Sequence, residues 1–224
     1  DAKAVDQYID TRLEEGVVRH TIQKELVALR GTLKVAKRRG DFKPDVGAVM
    51  PDGFSAGYKP RVRFLSGDEA QRLLAELTPD RAARVAFILA TGARWSESDR
   101  ARRRDIDWRL NIVHLRGTKT EAAARAVPIV GASFDLLKHA ERYAEGSDGL
   151  LFRPWGNCRR DLNEACSRAA AAALSAHLEA ATQTFEHMSE TEQQALRAAF
   201  AFPSVSPNDL RRTYATWLRQ HGTE

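Results

Sequence analysis

The chain has 224 residues, 43% of them hydrophobic and 29% charged, enough apolar material for one large folded domain or for a medium one and a small one. Lys and Arg number 35 against 30 Asp and Glu, a net charge of +5, which is compatible with a polyanionic partner without demanding one. No run approaches the roughly 20 apolar residues of a membrane span, and no charged-then-apolar signal segment opens the chain, so a soluble cytoplasmic protein with no membrane partner is expected. The two cysteines, Cys158 and Cys166, and the histidines His20, His114, His139, His177, His187 and His221 match neither a disulfide framework nor a metal-ligand spacing, and no metal or other cofactor is implied.

Val5, Tyr8, Ile9 and Leu13 recur at helical spacing, and Ile22, Leu26, Leu29 and Leu33 repeat the pattern after Gly16, which predicts a helical hairpin. Thr21 is the expected N-cap of its second helix, and Arg39-Gly40 its end. Lys34, Lys37 and Arg38 share one face of that helix and offer a basic surface for phosphates. Between Asp41 and Lys59, Pro44, Pro51, Gly47, Gly53 and Gly57 interrupt any period and mark a linker. Ser66-Gly67-Asp68-Glu69 caps a helix carrying Ala70, Leu73, Leu74 and Leu77, and Pro79 stands at the junction with the next. Val85 to Leu89 are almost continuously apolar, so this next helix runs through the core and delivers Thr91-Gly92-Ala93-Arg94 at its end.

Strand-like runs follow at Ile106-Asp107-Trp108, Ile112-Val113-His114-Leu115 and Ala126-Val127-Pro128-Ile129, predicting a three-stranded antiparallel sheet with Lys119 near a hairpin tip. Helices return from Phe134 to Glu145 and from Arg159 to about Ala181, the latter with the alanine run Ala169 to Ala173. Ser189-Glu190-Thr191-Glu192 starts a further helical stretch, and Ser206-Pro207 opens a last helix with Asn208 and Arg211 one turn apart. The fold class read from this pattern is mainly α with a small antiparallel β-sheet (α+β).

Three segments carry chemistry. Thr91-Gly92-Ala93-Arg94-Trp95-Ser96-Glu97 and Asn208-Asp209-Leu210-Arg211-Arg212-Thr213-Tyr214 each present an arginine, and Gly117-Thr118-Lys119-Thr120, followed by Arg125-Ala126-Val127-Pro128-Ile129, presents a lysine between them. Two fixed guanidiniums and one ammonium can cradle phosphate oxygens and neutralise the charge that builds when phosphorus is attacked. At these residues the chain resembles the tyrosine recombinase, or phage integrase, family. That family uses a Gly-x-Arg-x-Ser-Glu motif for its first catalytic arginine, a β-hairpin for a lysine, and a His-x-x-Arg motif for a histidine and the second arginine. The resemblance therefore implies catalytic roles for Arg94, Lys119 and Arg211, with Asn208 in the histidine's place and Glu97 as a support that fixes Arg94 or nearby backbone.

The resemblance further implies a partial helical (SAM-like) core-binding domain over 1–45, a linker over 46–63 and a catalytic domain over 64–224 lacking its C-terminal part. The two domains clamp duplex DNA, with Lys34, Lys37, Arg38, Lys59, Arg61 and Arg63 as DNA-binding residues. Only thirteen residues follow Arg211 (224 − 211), so the nucleophilic tyrosine is expected beyond Glu224, and Tyr214, on an inward helix face, is not a candidate. The implied function is site-specific breakage and rejoining of duplex DNA through a 3′-phosphotyrosine, by a homo-tetramer when full length, in a bacterium or a phage-infected host. The alternative is a non-catalytic DNA-binding relative acting as a regulator or decoy; a weaker one is a helical protein-interaction module.

Overall fold

In the computed structural model, which describes residues 1–57, 61–117, 124–182 and 184–220, the apolar positions of the N-terminal segment close on one another as two helices. These are α1 (Ala2–Glu14) and α2 (Arg19–Arg39). Val5 and Ile9 of the first meet Ile22 and Leu26 of the second in a small core, while Arg12 of α1 and Glu25 of α2 pair at 2.8 Å, with the Tyr8 hydroxyl donating to the same carboxylate. Helix α2 begins two residues before the expected Thr21. Val18 occupies the cap with no side-chain bond, and its carbonyl already accepts from Thr21 N. Backbone pairing and the burial of Ile22 outweigh a favourable capping residue there. Gly40 closes the helix in the left-handed conformation, as expected.

Residues 46–50, read from their glycine and proline content as the start of a linker, are part of this folded unit. The Asp45 carboxylate caps α3 (Val46–Val49) by accepting from Gly47 N and Ala48 N, and Val46, Val49 and Met50 are buried against α1 and α2. One helical turn is too short to show a period, so only the packing reveals it. Chain contacts divide the molecule into Asp1–Arg61 and Val62–Glu224.

The larger unit is organised around α5 (Pro79–Thr91), buried without interruption from Ala82 to Thr91. Before it lies α4 (Gly67–Ala75), started by a full capping box between Ser66 and Glu69. Beyond it come the single turn α6 (Trp95–Ser98) and three antiparallel strands in the order β1 (Ile106–Asp107), β2 (Ile112–Leu115), β3 (Arg125–Pro128). Val113 pairs with Ile106 on one side and Val127 on the other, and these side chains point into the core with Leu115 and Ile129. Asn111 makes the β1–β2 turn with a left-handed φ of 52°.

Helices α7 (Ser133–Arg142), α8 (Cys158–Ala180), α9 (Glu190–Ala199) and α10 (Pro207–Gln220) complete the unit. Helix α5 is sandwiched between α7 and α10. The burial of α8 ends at Ala169, so most of the alanine run serves helix propensity and not the core. The architecture is the mainly helical α+β fold with one small sheet that the sequence predicts. No described helix is long and apolar enough to cross a membrane.

Candidate active site

The end of α5 is where the site begins. Gly92 terminates the helix with φ 60°, and a Cβ there would lie 3.0 Å from Cε1 of Tyr214 and closer still to Cδ1. Only glycine meets both demands, a left-handed backbone and a ring lying against the chain. The backbone then turns outward, so that Arg94 caps α6 and its side chain is 53% exposed. One turn on, Glu97 points back and is fully buried.

Glu97 collects four donors. Its Oε2 accepts from Arg94 N at 2.8 Å and Arg125 Nη2 at 3.0 Å; its Oε1 accepts from Arg94 Nη1 at 2.6 Å and Arg125 Nη1 at 3.2 Å. Burial pushes the carboxyl up, but the bonds from Arg125 and Arg94 outweigh it and hold the group at about 2. Glu97 is therefore an anion at any working pH, bonded to both the backbone and the side chain of Arg94. The second arginine arrives from α10, where Arg211 Nη1 donates to the Gly92 carbonyl at 2.5 Å. Arg125 Nη2 donates to the same carbonyl at 3.3 Å. Burial lowers the Arg211 pKa, with Arg125 and Arg94 adding to the effect and Glu97 opposing it.

Three guanidiniums thus converge on one carboxylate and one carbonyl, an excess of two positive charges (3 − 1) among the described residues of the cluster, with Arg94 its exposed member. Such a cluster is built to receive an anion with several acceptor oxygens, and phosphate is the natural fit. Among the described residues no group of His, Cys, Asp and Glu could hold a metal ion.

The surroundings hold this geometry. Arg84, 1% exposed in the middle of α5, donates from Nε to Ser98 Oγ at 3.0 Å and from Nη2 to Trp95 O at 3.3 Å, pairs with Asp99, and lies over the Trp95 ring at 4.0 Å. It clamps the turn that carries Arg94. Asp209, also buried, accepts from Ser206 N and Ser206 Oγ and pairs with Arg212, fixing the first turn of α10 and hence Arg211.

Sequence reading gave these two residues and Arg125 no role. A lone arginine in an apolar helix and a Ser-x-x-Asp spacing before a helix were signals available for the first two; nothing local marks Arg125 beyond a charge at the start of a strand. Asn208 is exposed on α10 one turn before Arg211. Lys119 and Lys59 lie outside the described residues.

Among the basic residues expected at DNA, Lys34, Lys37, Arg38 and Arg61 are exposed, Lys37 pairing with Asp45 at 3.1 Å. Arg63 is a correction. Its guanidinium grips both oxygens of Glu69, at 3.0 and 2.7 Å, and donates to Phe64 O. With a side chain 18% exposed, it anchors the start of α4 and is not a free phosphate ligand.

The phage integrase family model matches residues 63–224, most of the chain and all of the site. The chain belongs to the phage integrase family. The integrase of Escherichia phage P2 is 28% identical over 151 residues, covering 66% of this chain and 41% of that protein, so the chain spans less than half the length of this relative. Two solved structures share the fold over 100% of this chain: the Tn1549 transposon integrase in complex with transposon right end DNA (TM-score 0.62, 15% identity, 74% of that chain) and the XerH site-specific recombinase bound to its difH substrate (TM-score 0.61, 14% identity, 61% of that chain).

Proposed function

We propose that this integrase-family chain is the DNA-cleaving part of a site-specific recombinase that breaks and rejoins duplex DNA through a 3′-phosphotyrosine. The observation that carries the reading is the convergence of Arg94, Arg125 and Arg211 on Glu97 and the Gly92 carbonyl, within a family whose members act on DNA. Arg94 and Arg211 hold the non-bridging oxygens of the scissile phosphate. A tyrosine oxygen attacks phosphorus, the bond to the 5′ oxygen breaks, and Lys119 gives that oxygen its proton. The charge on the non-bridging oxygens of the pentacoordinate phosphorus is met by guanidiniums already in place, which supplies transition-state stabilisation without reorganisation.

The nucleophile comes from outside the described residues. Tyr214 does not fit the role, since its ring is packed on Gly92 and burial raises its pKa. Asn208 donates and accepts hydrogen bonds at the phosphate but cannot shuttle a proton. The 1–45 region, with Lys34, Lys37 and Arg38, contacts duplex phosphates together with Lys59 and Arg61. The proposal extends to a homo-tetramer joining two sites in the cytoplasm, and the chemistry calls for no metal or nucleotide.

Incubating the full-length protein with a pool of nicked duplexes of random sequence tests the reading. A denaturation-resistant protein–DNA adduct on a tyrosine, lost in Arg94→Ala and in Arg211→Ala, is expected. Salt-sensitive duplex binding with no adduct in any sequence context would instead support a DNA-binding regulator.

A further inference from the structure

Arg94 and Arg211 sit on different elements, α6 and α10, and donate to different acceptors, Glu97 and the Gly92 carbonyl. Arg125 is bonded to both acceptors. From the first position of β3, its Nη1 and Nη2 reach the two oxygens of Glu97 at 3.2 and 3.0 Å, and Nη2 reaches Gly92 O at 3.3 Å. The hydrogen bonds therefore run unbroken from Arg94 through Glu97, Arg125 and Gly92 O to Arg211. On this basis we propose that Arg125 is a positioning residue that sets the separation and orientation of the two phosphate-binding arginines.

Three features support the assignment. The planar fork of arginine is matched by a bidentate acceptor, a geometry that lysine cannot reproduce. Arg125 is less open than Arg94, with side chains 31% and 53% exposed, so it stands behind the anion-facing group. Its strand is anchored, since Arg125 pairs with Leu115 and Val127 with Val113 in the core of the sheet. A fixed strand holds the fork still, and the fork in turn holds Glu97 and the Gly92 turn. The arrangement also tolerates like charge: one carboxylate lies between Arg94 and Arg125, and one carbonyl lies between Arg125 and Arg211.

The inference rests on the proposed cleavage activity, and the test separates the two. Using the full-length protein and a nicked duplex recovered as an adduct from the random pool, single-turnover cleavage at saturating DNA is compared for wild type, Arg125→Gln, Arg125→Lys, Glu97→Gln and the double variant Arg125→Gln/Glu97→Gln. Small misplacements of catalytic groups cost about 100-fold in rate. We therefore expect about that loss in both Arg125 variants, with duplex affinity within about threefold of wild type.

The double variant should be no slower than the worse single one, because both residues act through one network. Full rate in Arg125→Lys would overturn the proposal by showing that charge alone suffices; losses that multiply in the double variant would overturn it by showing that Arg125 touches the phosphate on its own. If the wild type forms no adduct, the failure lies with the proposed activity. The inference is then read from the Nε–H resonances of Arg94 and Arg211 in the labelled 224-residue chain, which must shift together in Arg125→Gln and would refute it by staying in place.

Discussion

Gly92 meets a backbone and a packing requirement together. Its φ of 60° is costly for any residue with a Cβ, and the Tyr214 ring occupies the space that a Cβ would need. Gly92→Ala should destabilise the larger unit by about 3 kcal/mol, read from a denaturant midpoint. Truncation to Tyr214→Ala in the same chain should recover only the steric share, since the left-handed φ remains.

Glu97 makes a second prediction through pH. Its pKa is lowered from 4.5 to about 2, so the folded form binds a proton less readily than the unfolded form. The stability it contributes is complete above pH 4.5 and is lost as pH falls from there through 2. Urea melts over that range should show a steeper acid loss in wild type than in Glu97→Gln. Asn208 carries a third: Asn208→His should introduce an inflection near pH 6.5 in the cleavage rate of the full-length protein, where the wild-type profile lacks one. A profile unchanged by the histidine would place residue 208 away from the reacting phosphate.

At the scale of elements, α10 does more than carry Arg211. Thr213 Oγ1 accepts from Leu65 N at 2.9 Å and donates to Asp209 O, while Trp217 Nε1 donates to Leu65 O at 3.0 Å. Both backbone groups of Leu65, from the segment that enters the larger unit, are thus satisfied by side chains of its last described helix. Thr213→Val keeps the shape and leaves a buried N–H unpaired, so a loss of about 1–2 kcal/mol is expected in equilibrium unfolding.

Most helices and the sheet were legible beforehand because they bury a face or alternate about Val113, while α9, with no buried residue, was legible from its Ser189–Glu192 capping box. What local pattern misread was short or non-periodic. The single turn α3 looked like linker, and Thr21 looked like a cap although the helix starts before it. Arg63 read as a basic group on a connection, and only the position of Glu69 revealed its partner.

At the scale of the molecule, the basic residues divide into those committed to the fold and those left in solvent. Arg84, Arg63 and Arg116 have carboxylate partners within the larger unit, whereas Lys34 and Arg38 of the smaller unit are exposed. The count of 35 Lys and Arg therefore overstates the cation left for a polyanion. If Lys34 and Arg38 meet phosphates, Lys34→Ala and Arg38→Ala should each lower the slope of log K against log salt by about 1, with little dependence on duplex sequence. Fluorescence anisotropy on two unrelated duplexes measures this, and an unchanged slope would remove these residues from the interface.

The sequence by itself determined the class of fold, the family, and the arginines of the two motifs, because helical periodicity and motif spacing are local properties of the chain. It also placed Glu97 three residues after Arg94, within hydrogen-bonding reach of it. Only the tertiary structure decided that Arg125 joins them, that Arg84 and Asp209 brace them from behind, and that Arg63 is withdrawn. Those facts depend on which acceptors β3, α5 and α10 bring within about 3 Å of one another. A guanidinium looks the same in a sequence whether it ends on a buried carboxylate or in water, and only the packing of distant elements tells which.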